Sequence, residues 1–108
     1  MSLENQIKSD RQFGDIEFAG GSLNIRRNKN YSYSGNSDDQ VGKTLQYLLD
    51  NTGKPVSAKV LADLLGCELW QAQQNLGYVQ AIVNTFSKHY HIEPGEASYA
   101  IVAGAKPL

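Results

Sequence analysis

The sequence predicts an α+β fold in which a small antiparallel sheet is followed by three helices and a β-hairpin. Apolar residues alternate with polar ones in the first third of the chain, recur at helical spacing over residues 41–86, and alternate again near the C-terminus. The length of 108 residues suits one domain. We expect this domain to span residues 12–104, after a polar tail at 1–11 that is disordered or derived from an expression vector.

The N-terminal part of the domain has the pattern of an antiparallel sheet. Its alternating apolar residues are Phe13, Ile16, Phe18, Leu23 and Ile25. Gly20-Gly21 lies between two of these runs, which is typical of a β-hairpin turn. A second turn is expected at residues 28–30, and the alternation of Tyr31 and Tyr33 with serines predicts a third strand that ends at Gly35-Asn36.

Two shorter helices are predicted next, each with a capping residue and a stop. Ser37 or Asp38 is expected to cap the first helix, whose apolar stripe is Val41, Leu45, Leu48 and Leu49. Ser57 is expected to cap the second helix, and Gly66 to end it. The predicted buried face of this second helix is Val60, Leu61, Leu64 and Leu65.

The third helix has the most regular apolar spacing in the chain. Its core-facing residues are predicted to be Ala72, Leu76, Val79, Val83 and Phe86. Gly77 inside this helix indicates close backbone packing, because glycine costs roughly 1 kcal/mol there relative to alanine. The tight glycine turn between the second and third helices predicts a helix-turn-helix, a motif most often used to bind DNA.

A hairpin is predicted after the third helix. Pro94-Gly95 is a turn signal, Tyr99 and Ile101 alternate with small residues, and His91-Ile92 is expected to pair with them across the turn. A hairpin in this position corresponds to the wing of a winged helix.

Three segments carry a resemblance to a known family. They are LNIRRNKNYSYSG at 23–35, QVGKTLQYLLDNTGKPVSAKVLADLLG at 40–66, and YVQAIVNTFSKHYHIEPGEASYAIV at 78–102. Together they resemble the C-terminal effector domain of OmpR/PhoB-type response regulators. The linker residues of that family are present as Asn51, Gly53, Pro55, Val56, Ser57 and Leu61. The resemblance implies a winged helix-turn-helix fold and DNA binding in transcriptional regulation, as a dimer or within a larger regulatory protein.

The expected DNA contacts follow from placing the third helix in the major groove. Gln71, Gln74, Asn75 and Tyr78 are predicted to face bases, since Gln and Asn amides can pair with adenine. Lys54, Lys59 and Lys88 are predicted to neutralise phosphates. The bland alternative is that the polar side of this helix is simply solvated or binds protein.

Charge distribution motivates an alternative function. Net charge is −1 with a pI of about 6.1, and residues 60–108 contain only two Lys/Arg against four Asp/Glu. The matched family has a cluster of Arg and Lys at the end of its third helix, whereas only Lys88 stands here. The alternative is therefore a winged-helix-like protein–protein interaction module without nucleic-acid binding.

Four further residues are candidates for contact with a partner. Arg26, Arg27 and Lys29 cluster near the second turn, where a solvated turn is the expectation and phosphate or protein contact the alternative. Trp70 is expected to complete the core between helices, and the alternative is an exposed interface anchor.

Catalytic, metal and membrane functions have no motif in the sequence. No nucleophile–base set or glycine-rich phosphate loop is present, so we expect neither an enzyme nor a cofactor nor a small-molecule substrate. His89 and His91 alternate but lack further ligands apart from Cys67, so no metal is expected. The single cysteine and the lack of a long apolar run favour a cytoplasmic location with no membrane contact.

Overall fold

Residues 10–105 are described by a computed structural model, and they form seven strands and three helices. The strands are β1 (Arg11–Phe13), β2 (Ile16–Ala19), β3 (Ser22–Arg26), β4 (Ser32–Asn36), β5 (Val56–Ser57), β6 (Tyr90–Gly95) and β7 (Ser98–Ala103). The helices are α1 (Gln40–Asp50), α2 (Ala58–Leu65) and α3 (Leu69–Phe86). The α+β class and the predicted element order are confirmed. Most of the predicted tail lies outside the described residues.

The first sheet is antiparallel with strand order β1-β2-β3-β4. Gly20 and Gly21 have φ values of +59° and +80°, as a two-residue hairpin turn requires, and Ile16 pairs with Ile25 across it. The predicted hairpin is therefore confirmed. Strand β1 begins at Arg11, inside the segment that the sequence pattern had assigned to the tail.

The second sheet has strand order β5-β7-β6, so the C-terminal hairpin pairs with the short strand that precedes α2. Ile92 pairs with Ile101 as predicted. The predicted turn at Pro94-Gly95 is wrong, because both residues belong to β6 and the tip is Glu96–Ala97. Proline is tolerated there since β6 is an edge strand.

Helix α1 begins one residue later than predicted. Asp39 is the cap, and its carboxylate accepts the Gly42 amide at 2.8 Å. The prediction of Ser37 or Asp38 is wrong because the Ser37 amide still donates to Gly21 O at 3.0 Å, which keeps that residue at the edge of the first sheet.

Helix α2 has the predicted ends but a different buried face. Ser57 accepts the Val60 amide, and Gly66 ends the helix at φ +67°. The helix buries Leu61 with two small residues at positions 58 and 62, whereas Val60 and Leu64 are exposed. The predicted face is wrong in those two positions, since no element within residues 10–105 covers their side of the helix.

Helix α3 lies at the centre of the molecule and contacts α1, α2, β3, β4 and β6. Its buried residues are Ala72, Leu76, Val79, Ile82 and Val83. They join a single core with Ile16, Phe18, Leu23, Ile25, Leu45, Leu48, Leu61, Ile92 and Ile101. Close packing at Gly77 was wrongly predicted, because a Cβ there would meet no atom within 4 Å.

A buried carboxylate joins the first sheet to the end of α3. The side chain of Asp15, only 6% exposed, accepts Ser87 Oγ at 2.7 Å and the Lys88 amide at 2.8 Å. The backbone of Asp15 is bonded as well, since its carbonyl oxygen accepts the Arg26 amide at 3.1 Å. The C-terminal end of α3 is thus held beside the end of β3.

Candidate nucleic-acid interface

The exposed residues of α3 define one uncovered side, here called the free face. They are Leu69, Trp70, Gln73, Gln74, Tyr78, Ala81 and Thr85. No residue of α3 is charged. A ligand on this face meets amides, the hydroxyl groups of Tyr78 and Thr85, and apolar surface, so any ionic attraction comes from residues beyond the ends of the helix.

The four predicted base-facing residues are placed in different ways. Gln74 is exposed on the free face. Gln71 is half-buried, and its Oε1 accepts the Glu68 amide at 3.0 Å. Asn75 is also half-buried and donates to Gln40 Oε1 at 2.9 Å. Both amides already satisfy groups of the protein, so Gln74 and its neighbour Gln73 are the amides that a ligand reaches first.

Tyr78 lies at the edge of the free face and is tied to the first sheet. It is 51% exposed. Partial burial, followed by a hydrogen bond with Tyr78, raises the pKa of Tyr33 on β4 to about 12. Tyr78 and Tyr33 are therefore neighbours, and the exposed part of the Tyr78 side chain is available for contact.

Trp70 is not in the core. It is 59% exposed, and the prediction that it completes the core between helices is wrong. In helical projection Trp70 shares a side with Gln74, away from the stripe that contains Leu76 and Val83, so its position was available from the spacing. Large exposed apolar residues flank the turn between α2 and α3 in the sequence. They are Val60 and Leu64 on α2, and Leu69 and Trp70 at the start of α3.

One of the predicted phosphate ligands, Lys59, lies toward the N-terminal end of α3, and Lys54 lies in the hollow next to it. Lys59 and Leu69 line one open hollow of about 430 Å³, which the tip of the β6–β7 hairpin closes on the other side. Lys54 lines a neighbouring hollow with Ser57 and Val60. Both lysines are exposed; Lys54 precedes β5, and Lys59 is the second residue of α2.

The C-terminal end of α3 carries a second group of cations. Lys88 is exposed, and its backbone is fixed by Asp15 as described above. Arg27 reaches the same end from the β3–β4 turn, where its Nη1 donates to Thr85 O at 3.3 Å. Sequence spacing could not have shown this contact, since 58 positions separate the two residues.

Arg27 lines a notch whose other walls are Asn28, Tyr31 and Thr85. The turn that forms the notch is ordered by Asn28, whose Oδ1 accepts the amides of Asn30 at 2.8 Å and Tyr31 at 3.1 Å. Lys29 is exposed at the tip of this turn. Arg26 lines a different hollow, together with Asp15 and Glu17. The three cations predicted as one cluster are therefore divided between two surfaces.

The two histidines have separate partners. His91 is buried, with Nδ1 2.7 Å from Gly104 O and Nε2 3.0 Å from Glu93 Oε2, whereas His89 is exposed beside Asp15. Across residues 10–105, no three His, Cys, Asp or Glu side chains converge as a metal site would need. Within the same range, no helix combines the length and apolarity that crossing a bilayer demands.

Comparisons with protein-family models, with curated proteins and with solved structures each returned no match.

Proposed function

We propose that this chain is a winged-helix domain of the OmpR/PhoB type that binds double-stranded DNA and acts in transcriptional regulation in the cytoplasm. The element order supports the proposal, since a four-stranded sheet precedes three helices and a hairpin pairs with the strand before α2. In this arrangement α3 is the recognition helix and β6–β7 is the wing.

The distribution of charge along α3 is the observation that carries the proposal. The helix has 18 residues and is therefore about 27 Å long, more than twice the roughly 12 Å width of the major groove. A helix of that length, laid across the groove, meets base edges in its middle and a phosphate strand near each end. The chain matches this sequence of environments with an uncharged α3, with Lys88 just after its C-terminal end and with Lys59 near its N-terminal end, where the exposed N-cap Glu68 is an opposing charge.

Base contacts are assigned to the middle of the free face. Gln74 is the principal candidate and the ring of Tyr78 the second, because Gln71 and Asn75 are bonded within the protein. Phosphate contacts are assigned to Lys54, Lys59 and Lys88 at the two ends. Net charge contributes no general attraction, so affinity depends on these local contacts.

Titration of mixed-sequence duplex DNA at several salt concentrations tests the proposal. Three phosphate contacts give a slope of at least about −2.7 for log K against log salt, or a loss of about fortyfold between ~50 and ~200 mM salt. Lys43→Gln, which removes an exposed lysine of α1 outside both groups, should leave the slope unchanged. No binding at ~50 mM salt would falsify DNA binding.

The second candidate function is binding to another protein chain through the turn between α2 and α3. Four of the six large exposed apolar residues of the described chain lie within residues 60–70. Such a concentration is typical of an interaction surface rather than of scattered exposure. Sedimentation at rising concentration tests self-association: dimers that dissociate in Trp70→Ala support this candidate, and a monomer at every concentration excludes a homodimer through this surface.

A further inference from the structure

We infer that the notch between the β3–β4 turn and the C-terminal end of α3 is a binding site for a phosphodiester of the DNA backbone, with Arg27 and Lys29 as its ligands. The inference rests on the proposed function and adds to it. The sequence predicts that the β3–β4 turn is solvated, with phosphate or protein contact as the alternative. The inference assigns phosphate binding to this turn.

Arg27 has the geometry that a phosphate ligand needs. Its guanidinium presents five N–H donors in a planar fork, and the structure uses one nitrogen, Nη1, on the carbonyl of Thr85. That carbonyl belongs to the last turn of α3, where the partial negative charge of the helix end also favours a cation. The bond holds the guanidinium in place, and within residues 10–105 its other donors have no protein acceptor.

The side chains of the notch suit an anion, and Arg27 offsets the partial negative charge of the C-terminal end of α3 beside them. The volume of the notch is about 290 Å³, and none of its four lining residues is acidic. Tyr31 is 54% exposed and supplies a hydroxyl donor and a ring against which a sugar can pack. The turn needs no reorganisation to bind, since Asn28 already fixes the amides of Asn30 and Tyr31.

No acidic side chain lines the notch itself. The carboxylate of Asp15 lies at the end of α3, where it accepts Ser87 Oγ and the Lys88 amide. Glu17 and Asp15 both line the hollow of Arg26, which is not the notch. Arg26 is therefore the cation whose field is locally opposed, and it makes a natural comparison residue.

The position of the notch selects the DNA backbone as its occupant. Thr85 belongs both to the notch and to the free face of α3. It lies 11 residues after Gln74, or about 16 Å along the helix axis. A duplex whose bases meet Gln74 consequently carries a phosphate strand past Thr85, where Arg27 lines the notch, Lys29 follows on the same turn and Lys88 follows the end of α3.

The test compares variants of the whole chain in the same salt titration of mixed-sequence duplex DNA. Five contacts predict a wild-type slope of about −4.5, and Arg27→Gln/Lys29→Gln should reduce its magnitude by about 1.8. Each contact multiplies the association constant by about fifteen at ~50 mM salt relative to 1 M, so the double variant should bind about two hundredfold more weakly at ~50 mM. Arg26→Gln is the matched control and should lose less than threefold.

The outcomes separate this inference from the proposed function. If the wild type does not bind DNA at ~50 mM salt, both are wrong. If it binds and the double variant loses less than tenfold, or no more than Arg26→Gln, the notch is not a phosphate site while DNA binding stands. Lys29→Gln alone, at the exposed tip, is the check against misfolding: its slope should fall by about 0.9 with an unchanged melting temperature, and an unchanged slope overturns the inference.

Discussion

Asp15→Ala should destabilise the fold more than any other single change in a charged residue of the first sheet. The substitution removes the acceptor of Ser87 Oγ and of the Lys88 amide. Hydrogen bonds to a charged group are worth about 1.5–3 kcal/mol each, but the exposed Lys88 amide can bind water instead. We therefore expect a loss of about 2–4 kcal/mol, which for a domain of this size lowers Tm by roughly 10–25 °C.

Urea unfolding with an unchanged m-value is the appropriate measurement, because it separates a loss of stability from a change in the unfolded chain. Asp15→Asn is the matched control: it keeps one acceptor oxygen and should lose about half as much. In a double-mutant cycle, Asp15 and Ser87→Ala should show a coupling of about 1–2 kcal/mol. A loss below about 0.5 kcal/mol in Asp15→Ala would mean that this carboxylate does not join the sheet to α3.

Three further predictions concern residues of the helices and the sheet. Gly66→Ala should cost about 1 kcal/mol because of its positive φ, whereas Gly77→Ala, with open space around it, should gain about 0.5–1 kcal/mol; equal effects in urea unfolding would contradict both. An absorbance titration should find a tyrosine that ionises near pH 12, lowered by Tyr78→Phe. This raised pKa of Tyr33 stabilises the fold fully below about pH 10, and the contribution is lost as pH rises toward 12; a titration without that late step would refute the contact. The fluorescence of Trp70, the only tryptophan, should be readily quenched by acrylamide in the free protein and less so with DNA, and equal quenching would place the duplex elsewhere.

Much of the fold was accessible from the sequence because local rules and tertiary packing agree there. The Gly20-Gly21 hairpin, the Ser57 cap and the Gly66 stop each depend on a few neighbouring residues. The bounds of α3 follow from an apolar stripe that is long enough to average out single exceptions. These features could be predicted without knowing which other elements pack against them.

Several errors arise where a residue's burial or hydrogen bonding depends on which element packs beside it. The exposure of Leu64 depends on whether another element covers that side of α2, and periodicity cannot report it. The cap of α1 moved to Asp39 because Ser37 stays bonded to Gly21, a contact between distant parts of the chain. The notch escaped prediction for the same reason, since Arg27 meets Thr85 only in the folded molecule.

The residues of the free face of α3 are informative about function because their side chains contribute little to the packing of the core. Leu76, Val79 and Val83 fix the helix in the core, whereas the exposed positions could carry charges without disturbing it. We therefore interpret the absence of charge on α3, with Lys59 near its N-terminal end and Arg27 and Lys88 near its C-terminal end, as matched to the surface that α3 meets. On duplex DNA, residues of the helix middle should recognise bases and residues near its ends should bind phosphates. Gln74→Ala should therefore alter the preference among DNA sequences and leave the salt slope unchanged. Changes at Arg27 should lower the magnitude of the slope equally for every DNA sequence. If both substitutions altered the slope equally, the middle and the ends of α3 would not be distinct contact zones.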